Sequence, residues 1–395
     1  MTLLRQMLAV TALSVRTLPQ RAAASAVSVI GIAGVVVILV AVLSVSEGFR
    51  RTLELAGSDR VAVVLRGSSN SEMASNFTQE QVQIIEQAPG IARDASGPIA
   101  SAELFTTVDQ PKRSTGTSAN APLRGIEPAG SRTREHFQLL TGRMFSPGHS
   151  EVIVGRGAAR SLAGLDLGRM VQWGNDQWLV VGTFADNGSV SESEIWTDAR
   201  VLQDAYARGS SFQTVRALLQ TPQSFAQFKN QLTSDPRLNV NVLTERQFYA
   251  EQSILIATIV RGAGTILALL MGIGAVFGAL NTMYTAVTAR TTEIATLRAL
   301  GFGASSVIVS VVFEGLLLAL IGGALGAAAA YLTFDGFQTS TLNFASFSQV
   351  SFAFAVTPAL IANGIGYALL LGLLGGLLPA IHAARQPIIA GLREA

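Results

Sequence analysis

Cysteine is absent from the 395 residues, which excludes disulfides, thiolate metal sites and cysteine nucleophiles. Charge is scarce: Asp, Glu, Lys and Arg make up 14% of the chain, against roughly 25% in soluble proteins. The net charge of +2 supplies no concentrated basic face of the kind that binds nucleic acid. No GxxxxGK[ST] stretch occurs, so the chain has no P-loop cradle for nucleotide phosphates. Any ATP it depends on must bind another subunit. In the polar part of the chain His136 and His149 are too few and too isolated for a zinc site or a base-oriented triad.

What the chain does have is two materials. Mean hydropathy is +0.42, yet the polar residues are confined to part of the sequence. A helix needs about 20 apolar residues to cross a bilayer core, and four segments supply one: 22–46, 253–288, 304–334 (an interfacial segment followed by the third span, from Leu316) and 354–379. The first is too long for the apolar core of a cleaved signal peptide. The fold class expected is a membrane protein, with four transmembrane α-helices plus a mixed α/β extracytoplasmic domain, 47–252, between helices 1 and 2. Basic residues set the orientation. Arg5, Arg16 and Arg21 precede the first span, Arg290 and Arg298 lie between the second and third, and Arg385 and Arg393 follow the fourth. Both termini (1–21 and 380–395) and the 289–303 link are therefore expected on the cytoplasmic side. The domain and the short 335–353 loop are expected outside, although Arg50 and Arg51 pull the other way. Residues 1–21 read as an amphipathic segment lying flat on the inner face, with Leu4, Leu8 and Val15 buried. Expected contact with membrane lipid follows from both readings.

Small residues mark close helix packing, which is how membrane helices associate without a hydrophobic drive. Gly274 and Gly278 are four apart, as are Gly322 and Gly326, and Gly364, Ala368, Gly372 and Gly376 form a four-step ladder. Glu314 is costly inside a membrane. It is read as structural, at the cytoplasmic edge of the third span, with 307–313 as an interfacial helix.

In the 47–252 domain, 61–65, 151–154, 170–173, 178–182 and 238–243 read as strands, and 225–232 as a helix. Thr78 and Gln81 have the spacing of a capping box, opening a helix through Val82, Ile84 and Ile85. Gly174-Asn175-Asp176 suggests a hairpin. The polar stretch 109–121 reads as a loop. Ser189, Ser191 and Ser193 with Glu192 and Glu194 read as a solvated loop.

The most specific stretch is ARTTEIATLRALGFGASS, 289–306. Arg290 and Glu293 are three apart and Ile294 and Leu297 share a neighbouring face, so a short amphipathic helix is expected. Gly301 is placed as its C′ residue. This segment is either a charged turn or a helix that docks on a partner.

Its T-x-E-I-x-x-L-R-A-L-G pattern, 291–301, resembles the FtsX-like permeases of MacB-type (type VII) ABC transporters. Further matches run in order: Ser44-Val45-Ser46-Glu47-Gly48-Phe49, Thr141-Gly142-Arg143-Met144-Phe145, Glu151-Val152-Ile153-Val154-Gly155, Phe313-Glu314-Gly315 with Ile321-Gly322-Gly323, and Leu378-Pro379-Ala380 with Arg385. The 141–155 matches resemble a MacB-like periplasmic core. Thr296-Leu297 stands where the family often carries a basic residue.

The resemblance implies a non-catalytic permease in a bacterial inner membrane, with no cofactor of its own and with ATP and Mg held by a partner ATPase. It assigns ATPase coupling to Arg290, Thr292, Glu293, Ile294, Leu297, Arg298, Ala299, Leu300 and Gly301. Pro379 and Arg385 join Glu314 as structural residues. Implied partners are two copies of an ABC ATP-binding subunit, a second permease chain (identical or a paralogue) and a periplasmic adaptor, but no nucleic acid. ATP-driven motion would reach the outer domain by mechanotransmission. The alternatives are a lipoprotein-releasing permease and a scaffold that activates cell-wall hydrolases without transport. A membrane-anchored receptor would need a signalling domain longer than the tail after Pro379.

Overall fold

The computed structural model describes residues 6–7, 10–12, 22–69, 71–343 and 348–387. The chain divides into a membrane unit, Met1–Glu47, Ile259–Phe337 and Phe354–Ala395, and an insert unit, Gly48–Thr258 and Gln338–Ala353. The amphipathic reading of 1–21 falls almost wholly outside the described residues.

Helix α1, Ala22–Ala56, supplies the first span. The insert unit follows. β1, Val61–Arg66, is buried along its length except at Arg66. α2, Gln79–Glu86, opens with the capping box: Gln81 N–H donates to the Thr78 side chain, and Gln81 accepts in return from the Thr78 backbone. A two-residue pair, β2 (Arg93–Asp94) and β3 (Gly97–Pro98), precedes the long β4 (Ala100–Pro111) and β5 (Ser118–Ile126). β6 (Phe137–Gly142), β7 (Glu151–Gly155), α3 (Arg156–Ser161), β8 (Met170–Trp173) and β9 (Asp176–Asp186) come next. β10 (Ile195–Asp198), α4 (Ala199–Ala205), β11 (Thr214–Leu218), α5 (Ser224–Ser234) and β12 (Val240–Thr244) complete this stretch.

Among the described residues, ten of these strands form one sheet in the order β12-β1-β11-β4-β5-β10-β7-β9-β6, with β8 also paired to β9. Most pairs are antiparallel, but β5–β10 and β7–β9 run parallel. Apolar residues of α2 and α5 (Val82, Ile85, Phe228 and Leu232) cover β1, β11 and β12. A second cluster gathers Leu104, Leu123, Val154, Trp178 and Val180 around α3 and α4. A third stacks Phe184 on Trp196, with ring centroids 4.1 Å apart.

Two expectations for this domain fail. The stretch 109–121 is a hairpin, with β4 and β5 paired from Leu104↔Gly125 to Pro111↔Ser118. Its polar residues hid strands that alternate; the turn is fixed by Gly116 at φ +68° and by Arg113, which donates to Ala159 O and Asp166. The 189–194 segment is buried, not solvated: Glu192 and Glu194 are 6% and 5% exposed. Glu192 accepts from Arg156 and from the Asp186 and Gly188 N–H groups, and Glu194 accepts from Arg124 and Trp196. The local N–H donors come from Asp186, Gly188 and Trp196, but the charge partners Arg156 and Arg124 lie 36 and 70 positions away, and no local pattern announces them.

α6, Glu245–Thr288, contributes residues to both units. After it come α7 (Thr291–Ala299) and α8 (Ala304–Phe334). α8 runs unbroken through 307–313, so those residues form no separate interfacial helix. Apart from Ser310 the segment is apolar, and it holds no Gly or Pro, so nothing ends a helix there. β13 (Gln338–Asn343) and β14 (Ser348–Ala353) pair as a hairpin belonging to the insert unit. Ser351 N–H donates to Ser193 Oγ at 2.9 Å, and Asn343 donates to Gln252 at 3.1 Å. α9, Pro358–Arg385, starts with Thr357 capping Leu360 N–H and with Pro in its first turn, where its missing N–H costs nothing.

Among the described residues, four helices are long and apolar enough to cross a membrane, at Ser25–Ala56, Thr258–Thr288, Ala304–Phe334 and Pro358–Arg385. The mixed α/β insert lies between the first and second of them. α9 places Gly372, Gly375, Gly376, Pro379 and Ala380 inward while Leu373, Leu374, Leu377 and Leu378 face out. α8 repeats the device with Gly322, Gly323, Gly326 and Ala327 inward. Small residues facing small residues let the backbones meet, and the leucines are left to the surrounding apolar medium.

Candidate functional site

α7 follows α6 after two residues, Ala289 and Arg290. Its C-terminus closes as a Schellman motif: Phe302 N–H donates to Leu297 O at 3.1 Å and Gly301 N–H to Arg298 O at 3.1 Å, with Gly301 at φ +94° in the C′ position. The nine residues assigned to coupling do not share one face. Thr292, Glu293, Thr296, Ala299, Leu300 and Gly301 are exposed, and Leu300 is 73% exposed. Arg290, Ile294 and Ala295 are buried, while Leu297 and Arg298 are half-buried.

The inward residues are held. Ile294 packs with Val287, Val307, Val311, Ala380 and Ala383. Arg290 Nη1 donates to Glu314 Oε2 at 3.1 Å, with side-chain exposures of 9% and 6%, and its Nε lies 3.8 Å from Glu293. Arg298 Nη1 donates to the Gln386 carbonyl at 2.5 Å, just past the end of α9. An open cavity lies beside these contacts, lined by Val10, Met283, Val287, Ile294, Leu297 and Glu314 among others.

The packing residues divide as well. A Cβ at Gly326 would lie 2.5 Å from Ala33 O, one at Gly322 2.8 Å from Val29 O, and one at Gly364 2.9 Å from Val40. At Gly372 it would collide with Ala319, and Ala368 fills the space a Cβ at Gly323 would need. Gly376 has ordinary contacts from 3.7 Å. Gly274 and Gly278 meet nothing within 4 Å in this chain, so their spacing alone did not find α6's close approaches. Those occur at Gly264 against Val42 and at Gly272 against Tyr367, whose hydroxyl donates to Ala268 O at 2.7 Å. Pro379 is buried inside α9, and Arg385 is exposed in its last turn.

A second polar constellation lies wholly in the insert unit, and no motif pointed to it. Arg124 donates to Glu72, Glu103 and Glu194 at 2.8–2.9 Å. Arg134 pairs with Glu103, and Arg216 pairs with Glu245 and lies 3.3 Å from Glu103. Burial would raise the Glu103 carboxyl, but Arg134, Arg124 and Arg216 outweigh it and hold it at about 2. Glu245 goes the other way, pushed up to about 7 because burial, with Asp186 nearby, exceeds the pull of Arg216 and Arg134. The carboxylates of Glu72, Glu103 and Glu194 are tied to guanidinium groups. Among the described residues no His, Asp and Glu group is placed to hold a metal ion.

Two family models match the chain: the MacB-like periplasmic core domain over residues 25–235 and the FtsX-like permease C-terminal domain over residues 265–388. Curated relatives include the macrolide export ATP-binding/permease protein MacB of Shewanella sp. strain ANA-3, 33% identical over 39% of this chain and 22% of the relative. The protein of the same name from Chromobacterium violaceum is 34% identical over 30% of this chain and 17% of its own length. The matched segment thus spans about a fifth of these relatives. Solved structures with a likeness include the extracellular domain of the transporter YknZ from Gram-positive bacteria (16% identity, 47% of this chain, 100% of that one, TM-score 0.35). Another is the periplasmic region of MacB from Actinobacillus actinomycetemcomitans (11% identity, 50% of this chain, 94% of that one, TM-score 0.37).

Proposed function

Because the chain belongs to the family of the MacB-like periplasmic core domain and continues into an FtsX-like permease C-terminal domain, we propose that it is the permease subunit of an ATP-driven ABC transporter. Two such chains pair in a bacterial inner membrane, with both termini and α7 in the cytoplasm and the insert unit outside. ATP and its magnesium ion bind two separate ATPase subunits. Closure of the ATPases pushes α7, and the membrane helices carry that motion to the insert unit, which acts on cargo there with or without an adaptor.

The observation that carries this reading is the division of α7 into an outward face (Thr292, Glu293, Thr296, Ala299, Leu300) and an inward face tied to α8 and α9. An isolated charged turn needs no such anchoring, and a solvent-facing helix has no use for an apolar Leu300 at its tip. Leu300 and Glu293 are therefore the ATPase contacts, while Arg290, Ile294 and Arg298 position the helix. α1 and α6 support transmission, since each contributes residues to both units.

The test is affinity purification of the full chain from native membranes in mild detergent. A P-loop ATPase should be recovered in equal amount, and Leu300→Glu or Glu293→Lys should release it. Repeated recovery of the chain without an ATPase, even after cross-linking, would sink the reading. A cell-wall hydrolase retained on the insert unit in place of cargo would convert the transporter into a scaffold.

A further inference from the structure

Residue 290 is the N-cap of α7, with φ −115° and ψ 12° and no side-chain cap. Ser, Thr, Asp and Asn serve that position best, and a cation there opposes the positive end of the helix dipole. Arginine is a poor choice for the helix taken alone. Glu314 is a poor choice for α8 taken alone, because a carboxylate inside an apolar span is costly without a partner. The two residues are 24 positions apart and meet at 3.1 Å, both buried. Two local penalties are thus cancelled by one long-range contact. That contact fixes the start of α7 to α8, while Arg298 fixes its end to the Gln386 carbonyl beyond α9.

We propose that Arg290 and Glu314 form a latch that sets the tilt of α7 against α8, so that a push on α7's outer face moves α8 and α9 instead of bending the two-residue α6–α7 turn. Arg290 is a positioning residue, acting through Glu314 and making no contact with the ATPase. This inference rests on the reading of α7 as the ATPase-contacting element.

The lack of native cysteine makes a direct test available. Cysteines are introduced at Thr296 on α7 and Val309 on α8, both exposed, and spin-labelled in the full chain in nanodiscs. The starting chain should give one narrow distance distribution. Glu314→Gln, which keeps shape and removes charge, should broaden it, Arg290→Lys should keep it narrow, and Arg290→Glu with Glu314→Arg should restore it. In the complex with the ATPase, Glu314→Gln should leave the ATPase bound but lower permease-stimulated ATP turnover about tenfold, the scale of a loosened coupling element. An unchanged distribution and unchanged turnover in Glu314→Gln would overturn the latch. Release of the ATPase by Glu314→Gln with the distances intact would also overturn it. If the double exchange does not assemble, the contrast between Glu314→Gln and Arg290→Lys decides. Failure of the chain to bind any ATPase removes the functional reading, while the distances still test the latch.

Discussion

Arg124 donates to three carboxylates at once inside the insert unit, and removing it leaves Glu72, Glu103 and Glu194 buried with one cation fewer. Arg124→Leu should cost about 3–5 kcal/mol, the usual loss when one side of a buried ion pair is removed. The chain's three tryptophans, Trp173, Trp178 and Trp196, all lie in this unit, so their emission during a urea titration reads its unfolding alone. Two carboxyls give that stability opposite pH slopes. Glu103 sits at about 2 when folded against an ordinary 4.5, so its contribution is fully present above about 4.5 and is lost as pH falls toward 2. Glu245 sits at about 7; the folded state holds its proton more tightly, so stability declines as pH rises from about 4.5 through 7. Urea midpoints should peak between these windows. Glu103→Gln should flatten the acid limb and Glu245→Gln the neutral one; parallel curves for all three proteins would refute the assignment. None of this was legible in the sequence, because the charges that meet lie far apart along it: Arg124 is 52 positions from Glu72 and 70 from Glu194, and Arg216 is 29 from Glu245. Glu192 and Glu194 misled for the same reason.

Local signals did better at the scale of elements. The capping box at Thr78, the hairpin signal at Gly174 and the C′ glycine at 301 each rest on a few adjacent residues, and each is found in place. The four spans were visible in their apolar length. Which glycines approach another helix was only half visible, because spacing records a helix face but not what stands opposite. Gly326→Leu should wedge α8 away from Ala33 and Val36 and destabilise by about 1–3 kcal/mol, as overpacking does. Gly278→Leu, with nothing within 4 Å in this chain, should be tolerated by the single chain. Thermal aggregation of the two variants in detergent, against the starting protein, checks both. Equal midpoints for the two variants would show that the close approach at Gly326 is not structurally important. The β13–β14 hairpin escaped sequence reading because it is short and polar on its exposed face; what holds it is Ser193, Gln252 and an edge contact of Phe352 with Phe49, 5.6 Å between centroids.

Across the whole molecule, the separation into an apolar four-helix unit and a polar insert was readable from composition, while membership of the hairpin in the insert unit was not. That membership has a consequence for how the protein is made. The insert unit needs residues 338–353, which leave the ribosome 80 positions after Thr258, a delay of roughly 4–16 s at ordinary synthesis rates. During that interval the second and third spans must enter the membrane while Ser193, Gln252 and Phe49 wait without their partners. Nascent chains arrested so that residue 337 has emerged should be cut by trypsin within the insert several-fold faster than chains arrested after residue 353 has emerged. Equal cleavage rates would mean that the hairpin is a late ornament. A clear difference would make the order of synthesis part of the protein's quality control, since a chain whose later spans fail to insert would present an unfinished, protease-sensitive domain.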